Sequence, residues 1–229
     1  MRSILFCIAL TASAALALET ALPTPTHAEP AQGGSVSGVV TILKDGAPKA
    51  DRSGITVYLE NVPGPPPSAG PTRQIRQKYQ TFAPGVMVVV KGTTVEFPND
   101  DKVFHNVFSV SKTARFDLGL YKSGETKSVT FHEAGVVDVY CNIHPQMVAK
   151  IKVLDNNHYA VTGADGSFKI KNVPPGTYPI VAWQAFGGEY RGEVTITAGG
   201  TATVSPTLTE GKPPIRHLRK DGTPYGRYK

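Results

Sequence analysis

Runs of Val, Ile, Thr, Phe and Tyr, each a few residues long and cut off by Gly, Pro, Asn or Asp, recur along nearly the whole chain. Such a pattern constrains it to an all-β fold. The runs at 36–42, 55–60, 77–82, 86–90, 93–97, 104–110 and 126–131 read as strands. So do those at 136–141, 149–153, 159–162, 167–170, 177–185, 190–197 and 201–208. The breaks fall at roughly 8–12 residue spacing, as in β-sandwiches. With 23 Gly and 19 Pro in 229 residues, turn residues are plentiful, and no stretch carries a helical apolar period. Ala164-Asp165-Gly166 reads as a tight hairpin turn with Gly where positive φ is needed.

One interruption divides the chain. Pro63-Gly64-Pro65-Pro66-Pro67-Ser68-Ala69-Gly70-Pro71 cannot be a sheet strand, because Pro removes ladder donors. It reads as a stiff connector over 63–71. The strands before it (35–62) and those after the Asp155-Asn156-Asn157 break (157–208) make one small sandwich. The segment between, 72–154, makes a second. The expected architecture is one β-sandwich inserted in, or packed against, another. A basic flexible tail would follow at 209–229.

The first 28 residues look like an address rather than a fold. Arg2 precedes an apolar run over 4–18, and Thr26-His27-Ala28 offers a cleavage site before Glu29. This is the pattern of a secretory signal peptide at 1–28. The run is short for a membrane span, so the mature protein is expected to be soluble, in the periplasm or an equivalent exported space. Export changes what the two cysteines mean. Cys7 leaves with the leader, and Cys141 is left without a disulfide partner. A lone exported Cys forms an intermolecular bridge, a reactive thiol or a metal ligand, or is an inert core side chain.

The formal charge of +6 sits mostly in the tail, in Lys212, Arg216, Arg219, Lys220, Arg227 and Lys229. No nucleic-acid motif accompanies it. The tail, rich in Pro, Gly and Tyr, reads as disordered or docking late, and could touch an anionic surface or an acidic partner.

Around Cys141 the sequence is Cys141-Asn142-Ile143-His144-Pro145-Gln146-Met147, and Phe104-His105-Asn106-Val107 lies upstream. A thiolate, two imidazoles and a weakly held thioether make up a type 1 copper ligand set. Structural zinc would call for four strong ligands, so Met147 argues against it. Fully extended, the segment from Cys141 to Met147 would span about 20 Å. Convergence therefore needs a tight curl, and Pro145 keeps His144 out of helical angles.

Several motifs support a resemblance. Over 79–153 the chain resembles the cupredoxin family, closest to plastocyanin and amicyanin. The matching features are Phe82-Ala83-Pro84, Val95-Glu96-Phe97-Pro98-Asn99-Asp100, His105-Asn106-Val107 and the Cys141–Met147 loop. The flanks are similar to a carboxypeptidase regulatory-like, transthyretin-type domain. The features there are Gly38-Val39-Val40, Thr162-Gly163-Ala164-Asp165-Gly166-Ser167-Phe168 and Asn172-Val173-Pro174-Pro175-Gly176-Thr177-Tyr178. The combination resembles exported bacterial methylamine-utilisation proteins. Phe104 stands where relatives often have Pro.

The resemblance implies one type 1 copper held by His105, Cys141, His144 and Met147, with Pro145 shaping the loop. Asn106 would tie the two ligand loops and place a backbone N–H near the thiolate. His144 would be the partly exposed ligand through which electrons leave. The expected function is a periplasmic blue copper protein passing single electrons between transient redox partners, such as a periplasmic dehydrogenase or cytochrome. A copper carrier or sensor, or an adhesion or scaffold module in which the copper site is secondary, is the alternative. No second copper site is discernible for an oxidase or nitrite reductase, so no enzyme is expected. His132 reads as part of a solvated turn, His158 and His217 lack partner ligands, Asp100-Asp101 reads as a loop turn, and Trp183 as core of the outer sandwich.

Overall fold

The computed structural model describes residues 32–212, 214 and 216–225. The signal peptide expected at 1–28 lies outside the described residues. Among those described, regular structure is entirely β, and no helix is long and apolar enough to cross a membrane.

The strands surround separate cores. The inner core is built from residues 75–153, among them Ile75, Val95, Phe97, Val107, Phe131, Val139 and Ile151. The outer core draws on residues from both ends of the described chain, with Val36, Ile42, Val57 and Leu59 meeting Phe168, Ile180, Val194 and Leu208. One sandwich is thus inserted into the other.

The inner sandwich has a five-stranded sheet in the order Arg115–Tyr121, His105–Val110, Gly135–Tyr140, Val148–Leu154, Val86–Val90. The last pair runs parallel and the others antiparallel. Thr126–Thr130, Thr94–Pro98 and Arg73–Gln74 form the opposing sheet. Along Thr94–Pro98, Val95 and Phe97 are fully buried while Thr94 and Glu96 are not, the period-two alternation of a strand with one face on a core.

In the outer sandwich, Gly34–Val39 pairs antiparallel with Ser167–Val173 and parallel with Thr201–Thr203. Thr56–Leu59 lies between Tyr159–Val161 and Gly176–Trp183, with Glu189–Ile196 beyond. Two strands of this sheet are buried on both faces. Val57, Leu59, Ile180 and Ala182 point into the outer core. Tyr58, Val181 and Trp183 turn the other way and meet Val90 and Leu154 of the inner sandwich. The buried Lys152 ammonium sits 4.7 Å from the Tyr58 ring centroid and 5.6 Å from that of Trp183. Trp183, expected in the outer core, instead joins the two sandwiches, because alternation sends it to the opposite face from Ala182.

Other expectations need correcting. The single strand expected over 77–82 is a hairpin, Arg76–Lys78 with Thr81–Ala83, turning at Tyr79 and Gln80 with φ of 55° and 53°. Two consecutive left-handed residues are the geometry of a tight hairpin, here without the usual Asn-Gly signal. The run 201–208 divides into Thr201–Thr203 and Thr207–Thr209, which pair with different strands. Arg115–Tyr121 is a strand that the sequence did not announce. The tail is not free along its length: His217 is buried, and residues 216–225 lie on the inner sandwich. The turn at Gly166 is as expected, with φ of 76°.

Candidate metal centre

Two neighbouring strands bring the candidate ligands together. His105 opens the strand His105–Val110, and Gly135–Tyr140 ends one residue before Cys141. These strands are paired through Phe108 and Tyr140. The loop after Cys141 closes on itself, as the backbone N–H of Met147 donates to the His144 carbonyl at 3.1 Å. Val148–Leu154 then returns alongside Gly135–Tyr140. A loop held at both ends by one antiparallel pair cannot extend, which is how Cys141, His144 and Met147 come to share one region.

His105 and Cys141 are fully buried, and Met147 is fully buried in the same core cluster as Cys141. His144 is half-buried. The Nδ1 atoms of His105 and His144 lie 3.0 Å apart, and Cys141 Sγ is 3.8 Å and 3.6 Å from them. Among the described residues these three form a group able to hold a metal ion. The triangle can be tested against bond lengths. Trigonal bonds of about 2.0 Å to nitrogen and about 2.3 Å to sulfur, as at zinc, require N···N near about 3.5 Å and N···S near about 3.8 Å. The sulfur distances fit, and the nitrogen pair needs to open by only a few tenths of an ångström.

The surroundings prepare these atoms. Nε2 of His105 faces Asp101 Oδ2 at 3.2 Å. Donation there leaves Nδ1 with its lone pair toward Cys141 and His144, as a ligating imidazole requires. Asp101 is itself fixed by the backbone N–H of Gln80 at 2.7 Å. That bond leads the effects that hold its carboxyl below the usual range, ahead of the Lys102 N–H and His105. Burial pushes the Cys141 thiol up, while backbone N–H groups of Asn106, Ile143 and His144 favour the thiolate. Burial, and then His105, push the His144 imidazole down, which favours the neutral ligating form.

The backbone N–H of Asn106 faces the Cys141 sulfur, but its side chain turns elsewhere. Nδ2 donates to Asp117 Oδ1 at 2.6 Å, and Oδ1 is buried without a partner. The side-chain tie between the ligand loops is therefore indirect, since Asp117 also meets Lys220, whose backbone N–H donates to Asn142. Pro145 presents its carbonyl to the His217 N–H at 3.4 Å.

Of the remaining candidates, Asp100 pairs with Arg76 at 2.5 Å. His132 is exposed and His158 half-buried, and neither joins the metal group. Sequence reasoning missed Asp101, Asp117, His217 and Tyr225. Only Asp101 left a signal, four residues before His105.

The family model described as copper binding proteins of the plastocyanin/azurin family matches residues 72–154. The model for the carboxypeptidase regulatory-like domain matches residues 142–209. Among solved structures, the chain is similar to a novel purple cupredoxin from Nitrosopumilus maritimus. That match is 28% identical over 36% of this chain and 99% of that one, with a TM-score of 0.33. A Cu-containing nitrite reductase from Thermus scotoductus SA-01 is 28% identical over 36% of this chain and 22% of that one, with a TM-score of 0.34. A reduced amicyanin variant is 25% identical over 43% of this chain and 98% of that one, with a TM-score of 0.35. No curated protein matches the chain. The chain is thus similar over residues 72–154 to the copper binding proteins of the plastocyanin/azurin family, and over residues 142–209 to the carboxypeptidase regulatory-like domain.

Proposed function

We propose that this chain is an exported blue copper protein that carries single electrons between redox partners in the periplasm, with one type 1 copper per chain. The observation that carries the reading is the convergence of two imidazole nitrogens and one buried thiol, with all sides of the triangle between 3.0 and 3.8 Å. Held by His105, Cys141, His144 and Met147, copper would supply a one-electron couple.

The chain's own residues do the rest. Paired strands hold His105 and Cys141, so little needs to move when the charge at the site changes. Asp101 orients the His105 ring, and donation from Nε2 to it would leave Nδ1 available as a ligand. The apolar side chains around Cys141 and Met147 exclude water. His144 is the least buried of the four and offers the shortest way out. Val103 and Phe104, beside His105, are exposed apolar residues suited to a small, transient encounter. A dehydrogenase or a cytochrome of the same compartment is the proposed kind of partner.

Addition of Cu(II) to the metal-free protein should give an intense visible colour that reductant bleaches. Cys141→Ser should remain colourless while staying folded. A colourless wild-type Cu(II) complex would contradict the type 1 assignment. Rapid copper loss to a mild chelator would instead favour a carrier.

A further inference from the structure

Residues 216–225 lie beyond both family matches, yet they reach the ligand loop by independent routes. The Tyr225 hydroxyl donates to the carbonyl of Cys141 at 2.8 Å. The Lys220 backbone N–H donates to Asn142 Oδ1 at 2.9 Å. The His217 ring stacks on Tyr140, the residue before Cys141, with centroids 4.4 Å apart and 24° between planes.

The segment's own turn makes this possible. Asp221 accepts from the backbone N–H and the hydroxyl of Thr223 at 2.9 Å and 2.6 Å. The Gly222 N–H donates to the Arg219 carbonyl, and Gly222 has a φ of 82° that a side chain would resist. The chain doubles back, so Lys220 and Tyr225 face the same loop. The Tyr225 ring then lies edge-on to His217 and under the Arg219 guanidinium.

A second branch leads to the other ligand strand. The Lys220 ammonium meets Asp117 Oδ2 at 2.5 Å, and Asp117 Oδ1 accepts from Asn106. Asn106 follows His105, and its backbone N–H serves the Cys141 sulfur. The His217 ring also lies 6.0 Å from that of Phe108 on the His105 strand, so one short segment touches both ligand-bearing strands.

We propose that residues 216–225 are a positioning strap that ties the His105 strand to the Cys141–Met147 loop, with Tyr225 and Lys220 as its positioning residues. The proposal rests on the copper reading for its purpose, but not for its geometry. The Lys220–Asp117 pair is partly exposed and contributes little alone. The half-buried Tyr225 hydroxyl is the stronger contact, because its loss removes a hydrogen bond from the backbone of a fully buried residue.

The test uses full-length Tyr225→Phe and Tyr225→Phe/Lys220→Gln beside wild type. Tyr225→Phe keeps the ring between His217 and Arg219 and removes only the hydroxyl. Copper release to a chelator should quicken about tenfold in the double variant, the size of effect that partners of metal ligands usually have. The visible band should shift, and Lys220→Arg should behave as wild type. In the metal-free protein, alkylation of Cys141 should rise several-fold at an unchanged melting temperature. Unchanged release, band and alkylation in both variants would overturn the strap. If the wild type binds no copper, the copper reading fails, and the alkylation rates still decide on the strap.

Discussion

Asp101 and His105 form a carboxylate–imidazole pair, Oδ2 to Nε2 at 3.2 Å, which sets the ring nitrogen facing Cys141. The partner of a ligating imidazole orients the ring and fixes its tautomer. Asp101→Ala should therefore weaken copper binding about 10- to 100-fold, measured by competition with a chelator. The metal-free fold should change little, because Asp101 is a loop residue outside both cores.

The same pair marks the limit of what the sequence disclosed. Cys141, His144 and Met147 sit on one short loop, so their chemistry was visible as spacing. Asp101 was visible only as part of Asp100-Asp101, which reads equally well as a turn. Tyr79 and Gln80 are not typical residues for a left-handed turn, so their hairpin was hidden in an apparent strand. Arg115–Tyr121 alternates only over its first four residues, with Phe116 and Leu118 toward the core, before Gly119 at a φ of 67° breaks the run. The seating of His217 depends on Phe108 and Tyr140, which are distant in sequence. A tail composition typical of disorder cannot announce such partners.

The junction between the sandwiches should depend on Trp183, which is 7% exposed and packs with Tyr58, Val90, Leu154 and Val181. Trp183→Ala should cost about 3–5 kcal/mol. Calorimetry should show a lower midpoint, and the loss of a shared apolar layer should separate the melting of the two sandwiches.

A Cβ on Gly38 would lie 1.7 Å from the carbonyl oxygen of Val204. Gly34–Val39 and Thr201–Thr203 run side by side there, and backbone cannot yield as a flexible side chain can. Gly38→Ala should destabilise the outer sandwich by about 1–3 kcal/mol, the usual range for forced overpacking, in denaturant unfolding. The copper colour of the folded fraction should be unaltered, since the site lies in the other core.

Burial holds the imidazole of His158 below its ordinary pKa of 6.5. The unfolded chain then binds the proton more readily than the folded one, so stability rises with pH in this window. Its contribution is fully present above pH 6.5 and is lost as pH falls through the lower folded value. Metal-free protein should unfold more easily as pH drops below 6.5, and His158→Gln should flatten that slope.

One copper held by His105, Cys141, His144 and Met147 should exchange one electron. Titration of the copper-loaded protein with a reductant, followed by its visible absorbance, tests it most directly. One electron equivalent per chain should bleach the colour completely, and reoxidation should restore it. A copper complex without intense colour, or one whose colour does not respond to reductant, would contradict it.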